Sequence, residues 1–511
     1  MQVRACFGMN DEALAASFYV SLRHYVGREH HEVCFKGLGA VRASRGNDIW
    51  PESEVRDELA IHDIPLNDVD AGFIQSTDFF SDLGKIGGQY RWGNLNRQRH
   101  TFTLVNETPS VPRLCREVPY AVTVTTPHSV RIEKLVAGGE GLTRLEDGRV
   151  VFVPGVLAGE LVEITLSEEK RDFGRGQLLN ILEPSAQRRE PPCPHLAQGC
   201  GGCDWQHIER RVQGQAKLAV VIEAFARTAK MEVTPQLRRL TEDARRTTVR
   251  MVADEDGVLG FRAHESHDIV PVSQCMVAHP LINEFISQPV LEGAGEVTIR
   301  VGARTNNIGV WCHEGKLANG LPAGLKTGER ATVSEVVGDH TYKVSMGSFF
   351  QSSPEAAELI IDSVSRRLDS LGIEGGYMVD AYGGIGLFSL AFSHRFDELL
   401  LVESSESACR DAVRNLADCA ATIEQENMDQ WDSMQADVVI ADPSRHGLGK
   451  MGAGAVIDTG APVVVLVSCD PVAGARDAKY LCDAGYSLEE MEVLDIFPET
   501  HHVEVVSIFT R

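Results

Sequence analysis

The chain has 511 residues, of which 43% are hydrophobic and 24% are charged, and its formal net charge is −24. This composition predicts a soluble globular protein, and the length predicts three or four domains because a single hydrophobic core does not grow to this size. The negative charge argues against a protein that coats nucleic acid nonspecifically, but it is compatible with an enzyme that binds RNA through a local basic surface.

The sequence shows no sign of a membrane or secretory segment. No apolar run approaches the roughly 18 residues that a membrane-spanning helix needs. Asp11 and Glu12 come early and no long apolar stretch accompanies them, so a secretory signal is not expected. We therefore expect a cytoplasmic protein without a membrane partner, in which the 12 cysteines do not form a disulfide framework.

Residues 1–118 are predicted to form a separate N-terminal region. A helix is predicted over Glu12–Tyr25, and segments rich in Gly, Asn and Asp follow it. The region contains no motif that indicates a function, so the sequence assigns it no role.

Residues 119–184 are predicted to form a small β-barrel of the OB type. Short alternating apolar runs separated by glycine-rich turns indicate about five strands. The runs are Ala121–Val124, Val130–Ile132, Val150–Val153, Leu161–Ile164 and Gln177–Leu182. Barrels of this kind often bind RNA, and the basic segment Lys170–Arg175 falls in the loop before the last strand. A purely structural barrel is the alternative.

Residues 185–345 are predicted to form a mixed central domain that contains a cysteine cluster. Cys193, Cys200 and Cys203 lie in a glycine-rich loop, and Cys275 follows further along the chain. Three thiolates in one loop and a fourth at a distance suit an iron–sulfur cluster. Cys200 and Cys203 also fit half of a zinc site, which remains the alternative.

Several paired basic residues are candidates for a local RNA-binding surface. They are Arg188-Arg189, Arg210-Arg211 and Arg245-Arg246, together with the barrel segment Lys170–Arg175. Solvated surface charge is the other interpretation of each pair.

Residues 346–511 alternate between strands and helices, which predicts a doubly wound α/β domain. Ser353 caps a helix that has Pro354 at its first position and extends to about Ser370. Strands are predicted at Tyr377–Ala381, Leu399–Glu403, Asp437–Ala441 and Val463–Val467, with helices beginning at Gly384, Ser405 and Val472. The last two strands, about Glu489–Phe497 and Val503–Phe509, are predicted to form an antiparallel edge.

Two features of this domain indicate a nucleotide-like cofactor. The glycine-rich turn Asp380–Gly386 lets the backbone approach a ligand where the first strand meets a helix. Glu403 ends the next strand, where an acidic residue can bind ribose hydroxyls, and Asp442 ends a strand that faces the ligand crevice. A nicotinamide-type fold or a plain tight turn are the alternatives.

Cys469 and Glu504 are candidates for a covalent nucleophile and a base. Cys469 follows a nearly pure β run, which places it at the carboxyl end of a strand, and the helix that begins after Pro471 is expected to lower its thiol pKa. Glu504 lies at the start of the last strand and is expected to face the same site. An inert cysteine and a surface glutamate are the alternatives.

Taken in order, these segments resemble the RNA uracil-5-methyltransferase family that has a TRAM barrel and an iron–sulfur domain. Four segments are similar to family motifs: the Phe-x-Gln motif in Ser348–Gln351, the glycine-rich turn in Asp380–Gly386, the nucleophile motif in Ser468–Pro471 and the base segment in Phe497–Glu504. The resemblance covers residues 119–511. Gly383 replaces the usual cysteine of the glycine-rich turn, and Leu387 stands where some members have a cofactor-binding Asn.

The resemblance implies a set of functional residues. It implies that the cofactor S-adenosylmethionine (SAM) is bound by Gln351, Tyr382, Glu403, Asn427 and Asp442. It implies Cys469 as the nucleophile and Glu504 as the base that removes the C5 proton. It also implies a [4Fe–4S] cluster held by Cys193, Cys200, Cys203 and Cys275.

The implied function is the SAM-dependent methylation of a uridine at C5 in RNA. The cysteine cluster favours 23S rRNA, because the transfer-RNA branch of the family commonly lacks those cysteines. Alternatives are a transfer-RNA methyltransferase with the same chemistry and a non-catalytic RNA-binding protein of the same fold. A radical-SAM enzyme requires a Cys-x3-Cys-x2-Cys loop, which the sequence does not contain. We expect a monomer with RNA as its partner.

Overall fold

The computed structural model describes residues 127–240, 245–322 and 324–511 in full, and the backbone alone of residues 3–5, 14–26, 29–41, 101–105 and 116–118. The chain divides into two compact units, Met1–Thr125 and Thr126–Arg511. Among the described residues no helix is both long and apolar enough to cross a membrane.

The first unit contains a five-stranded sheet in the order β3-β2-β4-β1-β5. Its strands are β1 (Val3–Ala5), β2 (Leu14–Val26), β3 (Glu29–Val41), β4 (Thr101–Val105) and β5 (Arg116–Val118). The helix predicted over Glu12–Tyr25 is therefore wrong, because most of that segment lies in β2, which pairs with β3 along its whole length. The cause is the period of two in Phe18, Val20 and Leu22, since alternating aromatic and branched residues favour a strand.

The second unit begins with a six-stranded barrel sheet in the order β6-β10-β11-β9-β8-β7. Its strands are β6 (His128–Arg131), β7 (Lys134–Leu135), β8 (Gly141–Arg144), β9 (Val150–Val153), β10 (Leu161–Glu169) and β11 (Phe173–Glu183). Their inward residues form one apolar core that includes Val130, Val151, Val153, Val162 and Ile164. The strands predicted here from residue 130 onward are confirmed, whereas Ala121–Val124 lies outside the described residues.

The next segment contributes to two different sheets. It comprises α1 (Arg210–Ala224) with a π-helical turn Phe225–Ala229, β12 (Gln236–Arg239), β13 (Thr248–Ala253), β14 (Leu259–Arg262), β15 (Ile269–Pro271), α2 (Pro280–Ile286), β16 (Gly295–Val301), β17 (Ile308–Glu314), β18 (Lys326–Thr327), β19 (Thr332–Val337) and β20 (His340–Ser345). Strands β13–β18 form the central sheet, in the order β15-β14-β13-β16-β17-β18, and β19 pairs with β20 in a hairpin.

The C-terminal part is an eight-stranded sheet in the order β12-β26-β27-β25-β24-β21-β22-β23. Its elements are α3 (Pro354–Ser370), β21 (Tyr377–Ala381), α4 (Leu387–Ala391), β22 (Glu398–Glu403), α5 (Glu406–Asn415), β23 (Ala421–Gln425), β24 (Val438–Ala441), α6 (Gly449–Asp458), β25 (Val463–Ser468), α7 (Pro471–Asp483), β26 (Ser487–Asp495) and β27 (Glu504–Thr510). Only β27 runs antiparallel to its neighbours. The doubly wound arrangement follows from buried runs such as Val463–Ser468 alternating with helices.

The predicted antiparallel edge is wrong in one respect. Strands β26 and β27 are antiparallel as expected, but β12 pairs with β26 on its outer side, so the hairpin lies inside the sheet. Helix α1 packs with this sheet through Lys217, whose buried Nζ donates to Asp495 at 2.6 Å. Part of the segment predicted as a central domain, residues 210–239, therefore contributes to the C-terminal sheet.

Candidate active site

Three polar side chains meet at one end of the C-terminal sheet. Asp442 directly follows β24, and Cys469 directly follows β25. Ser468 of β25 pairs with Val505 of antiparallel β27, so the next residues along the ladder, Cys469 and Glu504, lie opposite each other. The sheet thus brings together the predicted nucleophile, the predicted base and a cofactor candidate at the carboxyl ends of its parallel strands, where α/β sheets bind ligands.

Burial raises the proton affinity of all three groups. The Glu504 side chain is buried, and its Oε1 has no hydrogen-bond partner. Burial and then the charge of Asp442 raise the pKa of Glu504 well above its ordinary value. Burial and the nearby Asp380 raise the pKa of Asp442 to about 7. The end of the sheet is therefore a poorly solvated cluster of carboxyl groups.

The expected depression of the Cys469 pKa is wrong. Burial, and then the charges of Glu504 and Asp442, raise the pKa of the Cys469 thiol to about 12, and the charge of Arg445 and a backbone hydrogen bond oppose them only in part. The helix predicted to lower it, α7, is already capped, since Asp470 accepts hydrogen bonds from the backbone N–H groups of Val472 and Ala473 at 2.9 and 2.8 Å. The cap places a carboxylate at the positive end of the helix, which offsets its effect on the thiol.

Gln351 reaches the same cluster from the loop after β20. Its buried side-chain amide lies 3.4 Å from Asp442 Oδ2. In the same loop Phe349 is 75% exposed, an unusual position for a large aromatic ring beside a buried carboxyl cluster. Arg445 extends the site on the other side, because its Nη2 lies 3.3 Å from Nε2 of His502.

The glycine-rich turn adopts a backbone conformation that favours glycine. Tyr382, Gly384 and Gly386 have φ of 59°, 56° and 87°, so three of its residues are left-handed. Glu403 fixes the turn, because its Oε2 accepts a hydrogen bond from the Gly384 N–H at 3.0 Å. A Cβ added at Gly383 would lie 2.6 Å from Leu401, which accounts for glycine at this position.

The remaining cofactor candidates lie at different depths. The Tyr382 hydroxyl packs against α6, where a Cβ on Gly452 would lie 2.3 Å from it. Asn427 follows β23 and is exposed, and its Oδ1 accepts the Asp429 N–H at 3.0 Å. The backbone next to Asn427 lies beside Glu403, because the N–H of Glu426 donates a hydrogen bond to the Glu403 carbonyl at 3.1 Å.

The four predicted metal-ligating cysteines lie near one another. None is in a disulfide. Burial raises the pKa of the Cys203 thiol to about 12, and the neighbouring Cys275 and Cys200 raise it further. Cys193 likewise raises the pKa of Cys275 after burial has done so. Over residues 127–240, 245–322 and 324–511, however, no group of three or more His, Cys, Asp or Glu side chains is arranged so that it could hold a metal ion.

Sequence reasoning missed a set of contacts that joins the cysteine loop, Cys193–Cys203, to the segment before Glu504. The carboxylate of Asp204 contacts the ring Nδ1 and the backbone N–H of His501. The Trp205 N–H donates to the Glu499 carbonyl at 3.0 Å. No local pattern could have revealed these contacts, because they connect residues almost 300 positions apart.

The basic pairs proposed as RNA-binding candidates are mostly engaged inside the protein. Arg188 pairs with Glu160, Arg189 with Glu499, and Arg210 with Asp495, and all three acidic partners are almost completely buried. These arginines neutralise buried carboxylates, so they are not free to contact RNA.

Comparison with known proteins identifies the family. Residues 123–179 match the model of the TRAM domain. The chain is 32% identical over 429 residues to an uncharacterized RNA methyltransferase of Streptomyces avermitilis, a match that covers 75% of this chain and 97% of the relative. It is 31% identical to a 23S rRNA (uracil(1939)-C(5))-methyltransferase of Pectobacterium atrosepticum, with 75% and 93% of the two chains covered.

The solved structures agree on the fold. The crystal structure of a tRNA (uracil-54, C5)-methyltransferase of Pyrococcus abyssi, in complex with S-adenosyl-L-homocysteine, matches with a TM-score of 0.58 and 23% identity, covering 75% of this chain and all of that one. At this identity the match supports the fold alone. The relatives above, which are matched over nearly their whole length, and the TRAM match show that this chain belongs to the TRAM-containing family of RNA methyltransferases.

Proposed function

We propose that this enzyme methylates C5 of a uridine in RNA, with Cys469 as the nucleophile and Glu504 as the base. The observation that carries the proposal is the pairing of β25 with β27, which places a thiol opposite a buried carboxyl group that has an unpartnered oxygen. A covalent nucleophile and a base are the two groups that C5 methylation needs, because C5 of uracil is a poor nucleophile until a thiol adds to C6.

The residues of the site suit successive steps of this reaction. The Cys469 thiol loses its proton to solvent and its sulfur forms a bond to C6, so that the electrons of the C5–C6 double bond make C5 nucleophilic; SAM when bound would supply the methyl group that C5 takes. Glu504 in its ionised form then takes the proton from C5, and the electrons of that C–H bond re-form the C5–C6 double bond as the sulfur leaves as a thiolate. A raised pKa suits Glu504 to this step, since it makes the carboxylate a stronger base than an exposed one. Arg445 stabilises the anionic forms of both groups, because it lowers both pKa values.

The cofactor would lie between the glycine-rich turn and the end of β24. Gln351, Tyr382, Glu403, Asn427 and Asp442 are the proposed contacts. Glu403 supports this assignment because it already orders the turn and lies at the end of β22, next to β21. The unpartnered Oδ1 of buried Asp380 marks a polar position beneath the same turn.

The cysteine loop and Cys275 are proposed to hold a [4Fe–4S] cluster. All four thiols are free, and after burial the charges of neighbouring cysteines contribute to the raised pKa values of Cys200, Cys203 and Cys275. This proximity and the all-thiol donor set support the proposal, although the described side chains are not arranged as a metal site in this structure. The proposed substrate is 23S rRNA, which is the substrate named for the relative from Pectobacterium atrosepticum. Transfer RNA is the alternative.

Mass-spectrometric mapping of 5-methyluridine tests the function. The purified protein is incubated with SAM and with transcripts of 23S rRNA or transfer RNA. We expect one methylated uridine in the rRNA and none with the Cys469→Ala variant. Cys482→Ala, which changes a cysteine of α7 away from the site, is the matched control and should remain active. Methylation by Cys469→Ala at more than about a hundredth of the wild-type rate would contradict the nucleophile assignment.

A further inference from the structure

One face of the central sheet is covered by other parts of the protein, and part of the opposite face is open to solvent. On the covered face Met251, Ile299 and Val310 are buried in a core shared with α2. The alternate residues of three adjacent strands share the opposite face, where Arg250 of β13 pairs with Thr298 of β16, and Thr298 pairs with Trp311 of β17. The side chain of Arg250 is 63% exposed, so this part of the face is open to solvent.

Trp311 and His313 form a close aromatic pair on this face, with an angle of 41° between their ring planes. Their ring centroids are 3.8 Å apart, and both residues are only partly buried. Thr298 fixes the orientation of the imidazole, because its hydroxyl lies 2.8 Å from His313 Nε2. A fixed, partly exposed aromatic pair on a β-sheet is the kind of platform on which proteins stack RNA bases.

A basic pocket adjoins this platform. It has a volume of about 440 Å³ and is lined by Lys326, Thr332, Ser334, Lys343 and Arg414. Lys326 of β18 neighbours Gly309, which lies two residues before Trp311 on the same face of β17. The pocket therefore adjoins the strand that carries Trp311, on the other side of Gly309, whose face is covered by Val333 and Met346.

The two lysines of the pocket are available to an anion. Lys326 Nζ donates to the Thr332 carbonyl at 2.7 Å, and Lys343 Nζ lies 2.8 Å from the Ser334 hydroxyl. In the part of the chain that the structure describes, neither lysine is ion-paired with a carboxylate, unlike most of the basic residues near the barrel and α1. In a chain of net charge −24, such a pocket suits the phosphates of a nucleic acid.

The same face leads to the active-site loop. Arg300 lies next to Gly309 and is buried, and its guanidinium donates to the carbonyls of Ser345 and Ser348 at 2.5 and 2.7 Å. The following residues are exposed Phe349 and then Gln351, which contacts Asp442. The platform is thus joined through Arg300 to the loop that borders the reacting groups.

We propose that the Trp311–His313 pair and the pocket lysines Lys326 and Lys343 are two parts of one surface that binds single-stranded RNA beside the target uridine. Bases stack on the aromatic pair, and the phosphates of the same strand are bound in the pocket. The proposal rests on the proposed function, because that function makes RNA the substrate. The proposed partner of this surface is an RNA strand, and an acidic protein surface is the competing partner.

RNA binding by the full-length protein tests the surface directly. A fluorescently labelled oligouridine of 12 nucleotides is titrated at several salt concentrations. We expect Trp311→Ala to weaken binding about tenfold or more, and Trp311→Phe, which keeps a stacking ring, to retain most of the affinity. The double variant Lys326→Glu/Lys343→Glu should weaken RNA binding. It should also make the slope of log K against the logarithm of salt concentration shallower, by the amount expected for the loss of about one to two phosphate contacts.

The control is Lys479→Glu, which makes the same substitution once, at an exposed residue of α7, and should leave RNA binding unchanged. Calorimetric SAM binding shows whether each variant is folded. If Trp311→Ala loses SAM binding, its RNA affinity is not informative and the double variant Lys326→Glu/Lys343→Glu becomes the test. Wild-type RNA affinity of that double variant overturns the proposal. Failure of the wild-type protein to bind oligouridine, or binding of an acidic peptide with the same affinity, also overturns it.

Failure of the proposed RNA-binding surface can be distinguished from failure of the proposed methylation reaction. A wild-type protein that binds oligouridine through these residues but forms no 5-methyluridine refutes the proposed reaction and leaves the surface standing. A wild-type protein that methylates rRNA, with an unchanged KM for RNA in both Trp311→Ala and the lysine variant, refutes the surface alone.

Discussion

Asp204 contacts His501 through both its side-chain oxygens, and so ties the end of the cysteine loop to the segment that leads into β27. Glu499 adds a second connection, since its carboxylate accepts hydrogen bonds from Arg189 at 2.5 Å and Gln213 at 3.0 Å. Glu504 is the first residue of β27. The position of the proposed base is therefore set by contacts with the region of the cysteines, and not only by its own strand.

This connection predicts that Asp204 positions the base. Replacing it with alanine should lower the rate of methyl transfer about 10- to 100-fold, the loss expected when a reacting group moves by about 1 Å. SAM affinity and the KM for RNA should change little, because Asp204 is not proposed to contact either. Single-turnover methylation and calorimetry measure these quantities. Asp458→Ala, an exposed carboxylate at the end of α6, is the control. An unchanged rate, or an equal loss of SAM affinity, would show that Asp204 does not act through Glu504.

A second prediction concerns Glu504 itself. Glu504→Gln keeps the size of the side chain but cannot accept the C5 proton, so the reaction should stop after methyl transfer with Cys469 still bonded to the RNA. Labelled rRNA should then migrate with the protein on a denaturing gel. The double variant Cys469→Ala/Glu504→Gln should give no such band. Rapid turnover of Glu504→Gln without an adduct would assign the base to another residue.

The sequence predicted the C-terminal fold well because its signals are local. Ser353 and Pro354 mark the start of α3 directly, and the buried strands are short apolar runs. Helix α6 was missed because Gly449, Gly452 and Gly454 imitate a loop, although Gly452 provides the close contact with Tyr382. Strand β12, Gln236–Arg239, has no strand-like pattern and is defined only by its pairing with β26.

The candidate site was predictable where it depends on strand ends and not where it depends on distant contacts. Parallel strands bring Asp442 and Cys469 to one edge, so their proximity follows from the strand pattern. The raised pKa of Cys469 could not be predicted, because it results from burial beside Glu504 and Asp442. The contact between Trp311 and His313 likewise depends on their position in β17, because alternate residues of a strand lie on the same face of the sheet.

A third prediction is a change of stability with pH that depends on Asp442. Its pKa is raised from 3.8 to about 7 in the folded protein by burial and by Asp380. The folded protein thus keeps a proton that the unfolded chain has lost, and this contribution to stability is present below pH 4 and disappears as the pH rises toward 7. For one such group the free energy of unfolding falls by about 1.4 kcal/mol per pH unit within that window.

Urea unfolding of the SAM-free protein between pH 5.5 and 8 measures this effect. Asp442→Asn should be more stable than the wild type at pH 8, and the difference between the two should shrink as the pH falls. Asp458→Asn, at an exposed position, should follow the wild type at every pH. A constant difference between Asp442→Asn and the wild type would mean that Asp442 does not titrate in this range.

The last prediction is that the protein purified without oxygen contains a [4Fe–4S] cluster, with about four irons and four sulfides per chain. Cys275→Ser should lose iron, sulfide and the brown colour, because Cys275 is the proposed ligand from outside the cysteine loop. Cys482→Ser should keep all three, since Cys482 lies in α7 and is not proposed as a ligand. Because the cysteine loop is connected to His501 and Glu499, cluster loss should also reduce RNA methylation more than SAM binding. Zinc without sulfide in the anaerobic protein would refute the cluster, and equal loss of both functions would show that it supports the whole fold.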